Sequence, residues 1–322
     1  MPITRNQIAL NALQWINLKQ EPGGPADAPI WLYDDPAWRS EQPNVHRLVK
    51  AAGFDAVMME VLNTQTIQAY KRMLDDVGLR PAPGYVQVGL PEDYGLTLQR
   101  GSAQWVRWFD PIRRRAEETN YMGLDSVFLA ADMAFDGRPR IAEVAVGAQF
   151  DQGRLDRLVE LLTDAAEVLR AEGVRAGAHN HVGTWLETEY EIDYLLANTD
   201  PSLLGASLDV GHLEWAGIDS PAYLAKHRDR LIDLHLKDLD LSIAAESRRR
   251  PTSYFTVADQ RFFLEPGLGD IDLAGAISAL GEDFAGWIVI EVDRASMEPF
   301  DSARFSNEWV EATFPEHEPA RV

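Results

Sequence analysis

Short apolar runs alternate with longer amphipathic segments along most of this chain. Eight of the runs predict β-strands, because each is short, rich in apolar or β-branched side chains and bounded by polar or turn-forming residues. They cover residues 7–15, 55–61, 83–88, 126–131, 176–181, 206–210, 231–237 and 287–292.

The segments between these runs have helical periodicity. The clearest covers residues 151–173, where Leu155, Leu158, Leu162 and Leu169 recur at spacings of three or four. Further helices are predicted at residues 45–53, 188–198 and 271–280. Strands that alternate with helices indicate a parallel sheet. Eight such units in 322 residues favour a single-domain (β/α)₈ TIM barrel over residues 1–322.

Two segments are longer than ordinary connections between elements. Residues 19–42 are rich in Pro and Trp, and residues 239–270 follow the seventh predicted strand. In a barrel both would lie on the face where the strands end, which is the face that carries the chemistry. No Gly-x-Gly-x-x-Gly follows an early strand, which argues against a dinucleotide-binding fold.

The composition narrows the classes of function. The formal net charge of −21 would repel nucleic acids and anionic membranes, so we expect neither as a partner. The chain has no cysteine, so any metal must be held by oxygen and imidazole ligands. The N-terminus lacks the pattern of a secretory signal, and we expect a cytoplasmic protein.

Polar side chains stand at the ends of four successive late strands. Side chains two residues apart on a strand share a face, so several of these groups can converge on one cation. The residues are His179 and His181, Asp209 and His212, His235, Lys237 and Asp238, and Glu291 and Asp293. Such a set suits one divalent ion, with Mn²⁺ expected first and Co²⁺, Mg²⁺ and Zn²⁺ as alternatives.

Earlier strands supply weaker candidates. Glu60 follows a buried strand and is either a carboxylate that faces the substrate or a structural partner for an arginine. Asp132 occupies a similar position after the fourth strand. Trp15 would form a wall of the pocket or belong to the core.

The motifs in residues 173–294 resemble those of the xylose-isomerase-like sugar phosphate isomerase/epimerase superfamily. They are "GAHNHVGTWLET", "LDVGH", "HLKD", "GLGDID" and "IEVD", in this order. The resemblance implies a TIM barrel with one divalent metal, held by Glu, Asp, His and Glu from late strands. Asp209, His235 and Glu291 match three of these ligands.

The first ligand departs from the superfamily pattern. Many members carry Glu-x-His after strand five, whereas this chain has His179-Asn180-His181 and a glutamate only at Glu187. This variant is similar to the inosose dehydratase branch and to the α subunits of bacterial C-glycoside deglycosidases. We expect Glu187 as the fourth ligand, with His179 as the alternative.

The resemblance also implies a reaction. A metal-stabilised enediolate would form after removal of a proton next to a carbonyl, followed by β-elimination. His179 and His181 would transfer protons, Lys237 would polarise a carbonyl or hold a hydroxyl, and His212 would contact the substrate. The first expectation is a C-glycoside deglycosidase α subunit, with a keto-sugar, cyclitol or aryl glycoside as substrate.

Several alternatives remain at this point. An inosose dehydratase-like hydro-lyase and a sugar isomerase or epimerase use the same first step. The deglycosidase assignment would add a small β subunit, and we expect an oligomer. A non-catalytic sugar-binding barrel would need neither metal nor base. Endonuclease IV has a similar fold, but the acidic charge argues against DNA as a substrate.

Overall fold

The strands are short and most of them lie in one parallel sheet. The computed structural model describes residues 3–16, 36–133 and 139–315. Its strands are β1 Ile8–Leu10, β2 Ala56–Met58, β3 Arg80–Ala82, β4 Tyr85–Val88, β5 Ser126–Ala131, β6 Arg175–His179, β7 Leu204–Asp209, β8 Leu231–Leu236, β9 Asp238–Leu239, β10 Phe263–Leu264 and β11 Ile288–Ile290.

Helices follow most of the sheet strands. They are α1 Pro36–Ala51, α2 Ile67–Val77, α3 Ala103–Trp108, α4 Asp110–Tyr121, α5 Pro139–Ala142, α6 Gln152–Ala171, α7 Glu189–Ala197, α8 Val210–Trp215, α9 Ser220–Lys226, α10 Leu241–Arg249, α11 Tyr254–Ala258, α12 Leu273–Leu280 and α13 Pro299–Thr313. Most begin at a capping side chain; the Thr188 hydroxyl, for example, accepts a hydrogen bond from the Glu191 amide at the start of α7.

The sheet closes on itself through its third strand. Its hydrogen-bonded order is β3-β2-β1-β11-β8-β7-β6-β5-β4, so β3 and β4 lie at the two ends. They are consecutive in the chain, separated only by Pro83 and Gly84. Around this junction the Met59 amide donates to Ala82 O (3.0 Å) and the Phe128 amide donates to Gly84 O (3.1 Å). Residues 80–88 therefore act as one strand that joins β2 to β5, and the predicted (β/α)₈ barrel is confirmed.

Side chains that point into the barrel form a small core of their own. Its buried members are Ala9, Ala56, Met58, Ala82, Phe128 and Val289. A larger apolar cluster lies outside them, between the sheet and the helices. Because side chains alternate along a strand, residues two positions beyond the inner core point toward the carboxyl end of the barrel. This alternation brings polar groups from several strands to one end of the barrel.

Three predicted elements differ from the structure. Residues 12–15 form a 3₁₀ turn rather than the end of the first strand, so Trp15 lies on that turn. The helix predicted at residues 45–53 begins at Pro36 and continues through Pro43. Residues 239–270 are not an open loop, because they contain α10, α11 and the antiparallel pair β9–β10. A short apolar run alone does not distinguish these possibilities.

The structure describes only part of the long segment predicted at residues 19–42. Most of the segment 19–42, including Trp31, lies outside the described residues, and Trp38 is buried on α1. The assignment of residues 1–322 to one domain stays a prediction. No helix in the described ranges is both long and apolar enough to cross a bilayer.

Gly84 tests the closure of the barrel. A Cβ at this position would lie 2.3 Å from the carbonyl oxygen of Met59, a backbone atom. We expect Gly84→Ala to lower the free energy of unfolding by about 2 kcal/mol, because overpacking a closed core costs this much. Gly153→Ala, where the nearest atoms are at ordinary contact distances, is the matched control and should be neutral or slightly stabilising. Equal stability of the two variants in urea melts would contradict the closure.

Candidate metal centre

Four buried side chains from adjacent strands meet at the carboxyl end of the barrel. His179 ends β6, Asp209 ends β7, His235 lies on β8 and Glu291 follows β11. Asp209 is the register partner of His235 across β7 and β8. Ligand atoms of His179, Asp209 and His235 all lie within 4.8 Å of one another. Glu291 Oε2 lies 3.1 Å from His235 Nδ1, so it belongs to the same cluster.

His179 is oriented as metal-binding histidines usually are. Its Nδ1 lies 2.9 Å from the carbonyl oxygen of Ser207, which can only accept a hydrogen bond. The proton is therefore assigned to Nδ1, and the lone pair of Nε2 faces the cluster. A backbone carbonyl that fixes the tautomer in this way is the usual support of a metal-ligating imidazole. Burial lowers the pKa of His179 well below its ordinary value, which keeps the ring neutral.

Tyr85 connects the members of the cluster. Its hydroxyl lies 3.0 Å from His235 Nδ1, 3.3 Å from His179 Nε2 and 3.4 Å from Glu291 Oε2. The Asn11 amide also donates to Glu291 Oε2. These contacts hold the imidazole and carboxylate groups in place around a common centre.

The cluster contains more negative than positive charge. The Lys237 ammonium lies 2.5 Å from Asp293 Oδ1, 2.9 Å from Glu291 Oε1 and 3.2 Å from Asp209 Oδ2. With all three carboxylates ionised, the net charge beside the one ammonium would be −2. Burial disfavours the charged carboxylates and raises the pKa of Asp293 to about 7. Burial opposes ionisation of Glu291 as well, but Lys237 and His235 lower its pKa well below the ordinary value.

These residues fit a divalent cation. Asp209 Oδ2 is buried and accepts no hydrogen bond, although polar groups in protein interiors normally do, and its nearest charged partner is Lys237 Nζ at 3.2 Å. The donor set is two imidazoles and two carboxylates, which suits Mn²⁺, Co²⁺, Zn²⁺ or Mg²⁺. A charge of +2 would balance the net charge of the cluster. His179, Asp209, His235 and Glu291 are therefore the residues that could hold such an ion.

A cavity of about 650 Å³ opens beside the cluster. His179, His181 and Glu291 lie in its wall, and so do Glu60 and Arg115. In the closed ring of eight strands, β2 and β6 are three positions apart, so Glu60 and His181, which follow them, lie in different parts of the cavity wall. The cavity is large enough for a ligand of more than one sugar ring.

A family model described as "Xylose isomerase-like TIM barrel" matches residues 46–313, which is most of the chain. The chain belongs to this family.

Known relatives of this xylose isomerase-like barrel include bacterial inosose dehydratases. That of Geobacillus thermodenitrificans is 31% identical over 167 residues, which cover 51% of this chain and 56% of the relative. That of Geobacillus kaustophilus is 28% identical over 294 residues, covering 88% and 92%. The chain thus spans about half the length of the first of these relatives and nearly all of the second.

Solved structures confirm the fold. A xylose isomerase-like TIM-barrel protein from Mycobacterium smegmatis, in complex with magnesium, has a TM-score of 0.62 and 15% identity. The superposition covers 97% of this chain and 98% of that protein.

Glu187, which was expected as the fourth ligand, does not lie in the cluster formed by His179, Asp209, His235 and Glu291. The Glu187 carboxylate lies 3.0 Å from Arg140 Nη1 and accepts hydrogen bonds from the amides of Gly183 and Gly147 at 2.9 Å. Arg140 also pairs with Glu191 at 2.6 Å, and all three side chains are buried. Glu187 thus ties the loop after β6 to the segment 140–147. This arrangement favours His179, the alternative, as the fourth ligand.

The other expected site residues lie in three kinds of position. Glu60 and His181 lie in the cavity wall. Lys237 and His212 are fully buried and face protein groups rather than the cavity. Two others lie elsewhere at the same end of the barrel: Asp132, which accepts a hydrogen bond from the Tyr94 hydroxyl, and Trp15, which packs against the core.

Two residues of the site were not expected from the sequence. Tyr85 begins β4 and reaches the cluster from within the barrel, where an apolar residue would have been the ordinary choice. Asn11 follows β1 and binds Glu291. A polar residue after a buried strand was the available signal for Asn11. Asp293, which was expected at the end of the eighth strand, binds Lys237 and accepts a hydrogen bond from the Tyr254 hydroxyl at 2.9 Å.

The role of Glu187 can be tested by Glu187→Gln. The substitution leaves the buried Arg140 with one carboxylate fewer, so we expect the free energy of unfolding to fall by about 3 kcal/mol. Bound metal, measured by elemental mass spectrometry, should be unchanged. Glu189→Gln, at a mostly exposed neighbour, should change stability by less than about 0.5 kcal/mol. A folded Glu187→Gln protein that has lost its metal would show that Glu187 is a ligand.

Proposed function

We propose that this protein is a divalent-metal-dependent enzyme that removes a proton next to the carbonyl of a keto-sugar or keto-cyclitol and then eliminates a β-substituent. The observation that carries the proposal is the position of the ligand cluster. It opens into a cavity whose wall also holds two groups able to transfer protons, His181 and Glu60.

His179, Asp209, His235 and Glu291 would hold the ion. When bound there, a divalent cation supplies Lewis-acid stabilisation of the negative charge that develops on a carbonyl or enediolate oxygen. The Tyr85 hydroxyl contacts both imidazoles and Glu291, so it brings three of the four proposed ligands to one centre.

His181 has the geometry of a general base. Its Nδ1 lies 2.7 Å from the carbonyl oxygen of Val182, so the proton is assigned to Nδ1 and Nε2 carries a lone pair. Packing against the His212 ring, with centroids 3.7 Å apart, fixes its orientation. Imidazole can take a proton from carbon and return one to a leaving oxygen.

Glu60 is the second group suited to proton transfer. Burial raises its pKa to about 7, with opposing effects from Arg115 and Glu118. A carboxyl group with this pKa can act as acid or base near neutral pH. Two such groups in the wall of one cavity allow a proton to be removed from one part of the substrate and delivered to another.

The leaving group distinguishes the candidate substrates. The names of the relatives favour loss of water from an inosose, a keto-cyclitol. The size of the cavity and its apolar residues Leu13, Val61, Leu62 and Met133 favour a second ring, as in a 3-keto-C-glycoside with an aryl group. We place the keto-cyclitol hydro-lyase first and the C-glycoside lyase second. The small second subunit of the latter stays a prediction.

Proton exchange tests the shared first step for both substrates. Metal-loaded protein is incubated in D₂O with an inosose and, separately, with a 3-keto-C-glycoside, and NMR follows deuterium at the carbon next to the carbonyl. We expect exchange or elimination with at least one substrate, and neither with Asp209→Asn. If the metal-loaded protein exchanges neither substrate, the proposed reaction is contradicted. Loss of water from the inosose would indicate the hydro-lyase, and release of an aryl compound from the 3-keto-C-glycoside would indicate the C-glycoside lyase.

The role of Glu60 predicts a pH dependence. As a base it must be ionised, so kcat/KM should rise as the pH increases through about 7, the value to which burial raises its pKa. Glu60→Gln should lower kcat/KM by about 100-fold and remove this rise. Glu117→Gln, at an exposed position on the same helix as Arg115, is the control and should keep both rate and profile. An unchanged profile in Glu60→Gln would exclude Glu60 as the base.

A further inference from the structure

The four strand ends carry a second set of side chains directly beyond the proposed metal ligands. On β6, on β8 and after β11 the second residue follows the first by two positions, and after β7 by three. We call His179, Asp209, His235 and Glu291 the first group, and His181, His212, Lys237 and Asp293 the second group. Contacts between members of the two groups show that both lie at the same end of the barrel.

The second group also resembles a metal site. Ligand atoms of His181, His212 and Asp293 lie within 4.8 Å of one another, as those of the first group do. All three residues are buried. Two imidazoles and one carboxylate are a common ligand set for divalent transition metals. The fourth member, Lys237, is a cation rather than a ligand.

The Lys237 ammonium is surrounded by four atoms that could serve as metal ligands. It is 2.5 Å from Asp293 Oδ1, 2.9 Å from Glu291 Oε1, 3.1 Å from His212 Nε2 and 3.2 Å from Asp209 Oδ2. Two of these atoms come from each group. The ammonium thus takes the place between the two groups where a second ion would share Asp209 and Glu291.

We propose that Lys237 is a built-in cation that occupies a second metal position and limits this barrel to one ion. This inference rests on the proposed function, because it takes the first group as the site of that ion. Lys237 is then a positioning residue, because it orients two carboxylate ligands without touching the substrate. Its removal should open a second divalent site formed by His212, Asp293 and oxygens of Asp209 and Glu291, with His181 adjacent.

The distances allow this change. Divalent transition metals bind nitrogen and oxygen at roughly 2.0–2.2 Å, so the four donor atoms would move inward by about 1 Å or less. Lys237→Ala would remove both the ammonium and the stem that blocks the position. It would also leave three buried carboxylates without a cation, which strongly favours binding of another positive charge.

Metal stoichiometry provides the test. Proteins are stripped with a chelator, reloaded with Co²⁺, separated from free metal by gel filtration and analysed by elemental mass spectrometry. We expect about one ion per chain for the wild type and about two for Lys237→Ala. Lys237→Ala/His212→Ala should return to about one ion. Lys226→Ala, which removes a half-exposed lysine outside the site, should keep one ion.

A second measurement covers the case in which Lys237→Ala does not fold. Lys237→Ser removes the ammonium and most of the stem, and its hydroxyl can donate a hydrogen bond to a buried carboxylate. We expect its melting temperature to rise more on addition of Co²⁺ than that of the wild type, because the metal must then balance more negative charge. An equal rise would overturn the inference.

The remaining outcomes also decide the question. One ion in both the wild type and folded Lys237→Ala, or two ions in the wild type, would overturn the role of Lys237. No ion in the wild type together with one in Lys237→Ala would support the built-in cation. That result would contradict the metal-dependent function, so the two proposals can fail separately.

Discussion

The structure depends on the compensation of buried negative charge at the carboxyl end of the barrel. Asp209, Glu291 and Asp293 converge there with a single ammonium, that of Lys237. Buried carboxylates are costly unless positive charge and hydrogen bonds balance them. The lysine balances part of this charge, and a divalent cation would balance more. The proposed metal site and the proposed limit to one ion both follow from this requirement.

The fold supplies the precision that such a site needs. Parallel strands deliver their last residues to one end, and closure through residues 80–88 fixes the distance across the cavity. Support comes from outside the cluster as well: Ser207 orients His179, and the buried pair of Arg140 and Glu187 anchors the loop that carries His181. The site is therefore formed mainly by short, buried strands and by one anchored loop.

Much of the fold and part of the site could be predicted from the sequence. Short apolar runs ending in His or carboxylate predicted the barrel and placed Asp209, His235 and Glu291 together, because the ends of parallel strands meet. The sequence did not decide whether Glu187 or His179 is the fourth ligand, because Glu187 pairs with Arg140, a partner that is distant in sequence. Tyr85 gave no signal, since its hydroxyl acts from within a strand. Lys237 was expected to face the substrate, but alternation along a strand does not reveal which groups surround a side chain.

The central claim is that the first group, including His179, binds one divalent ion. Anomalous diffraction at the cobalt edge from Co²⁺-loaded crystals tests it most directly, since it locates the ion relative to each side chain. We predict one strong peak in contact with His179, Asp209, His235 and Glu291, and none at Glu187. A peak beside Glu187, or the absence of any peak at the first group, would contradict the claim.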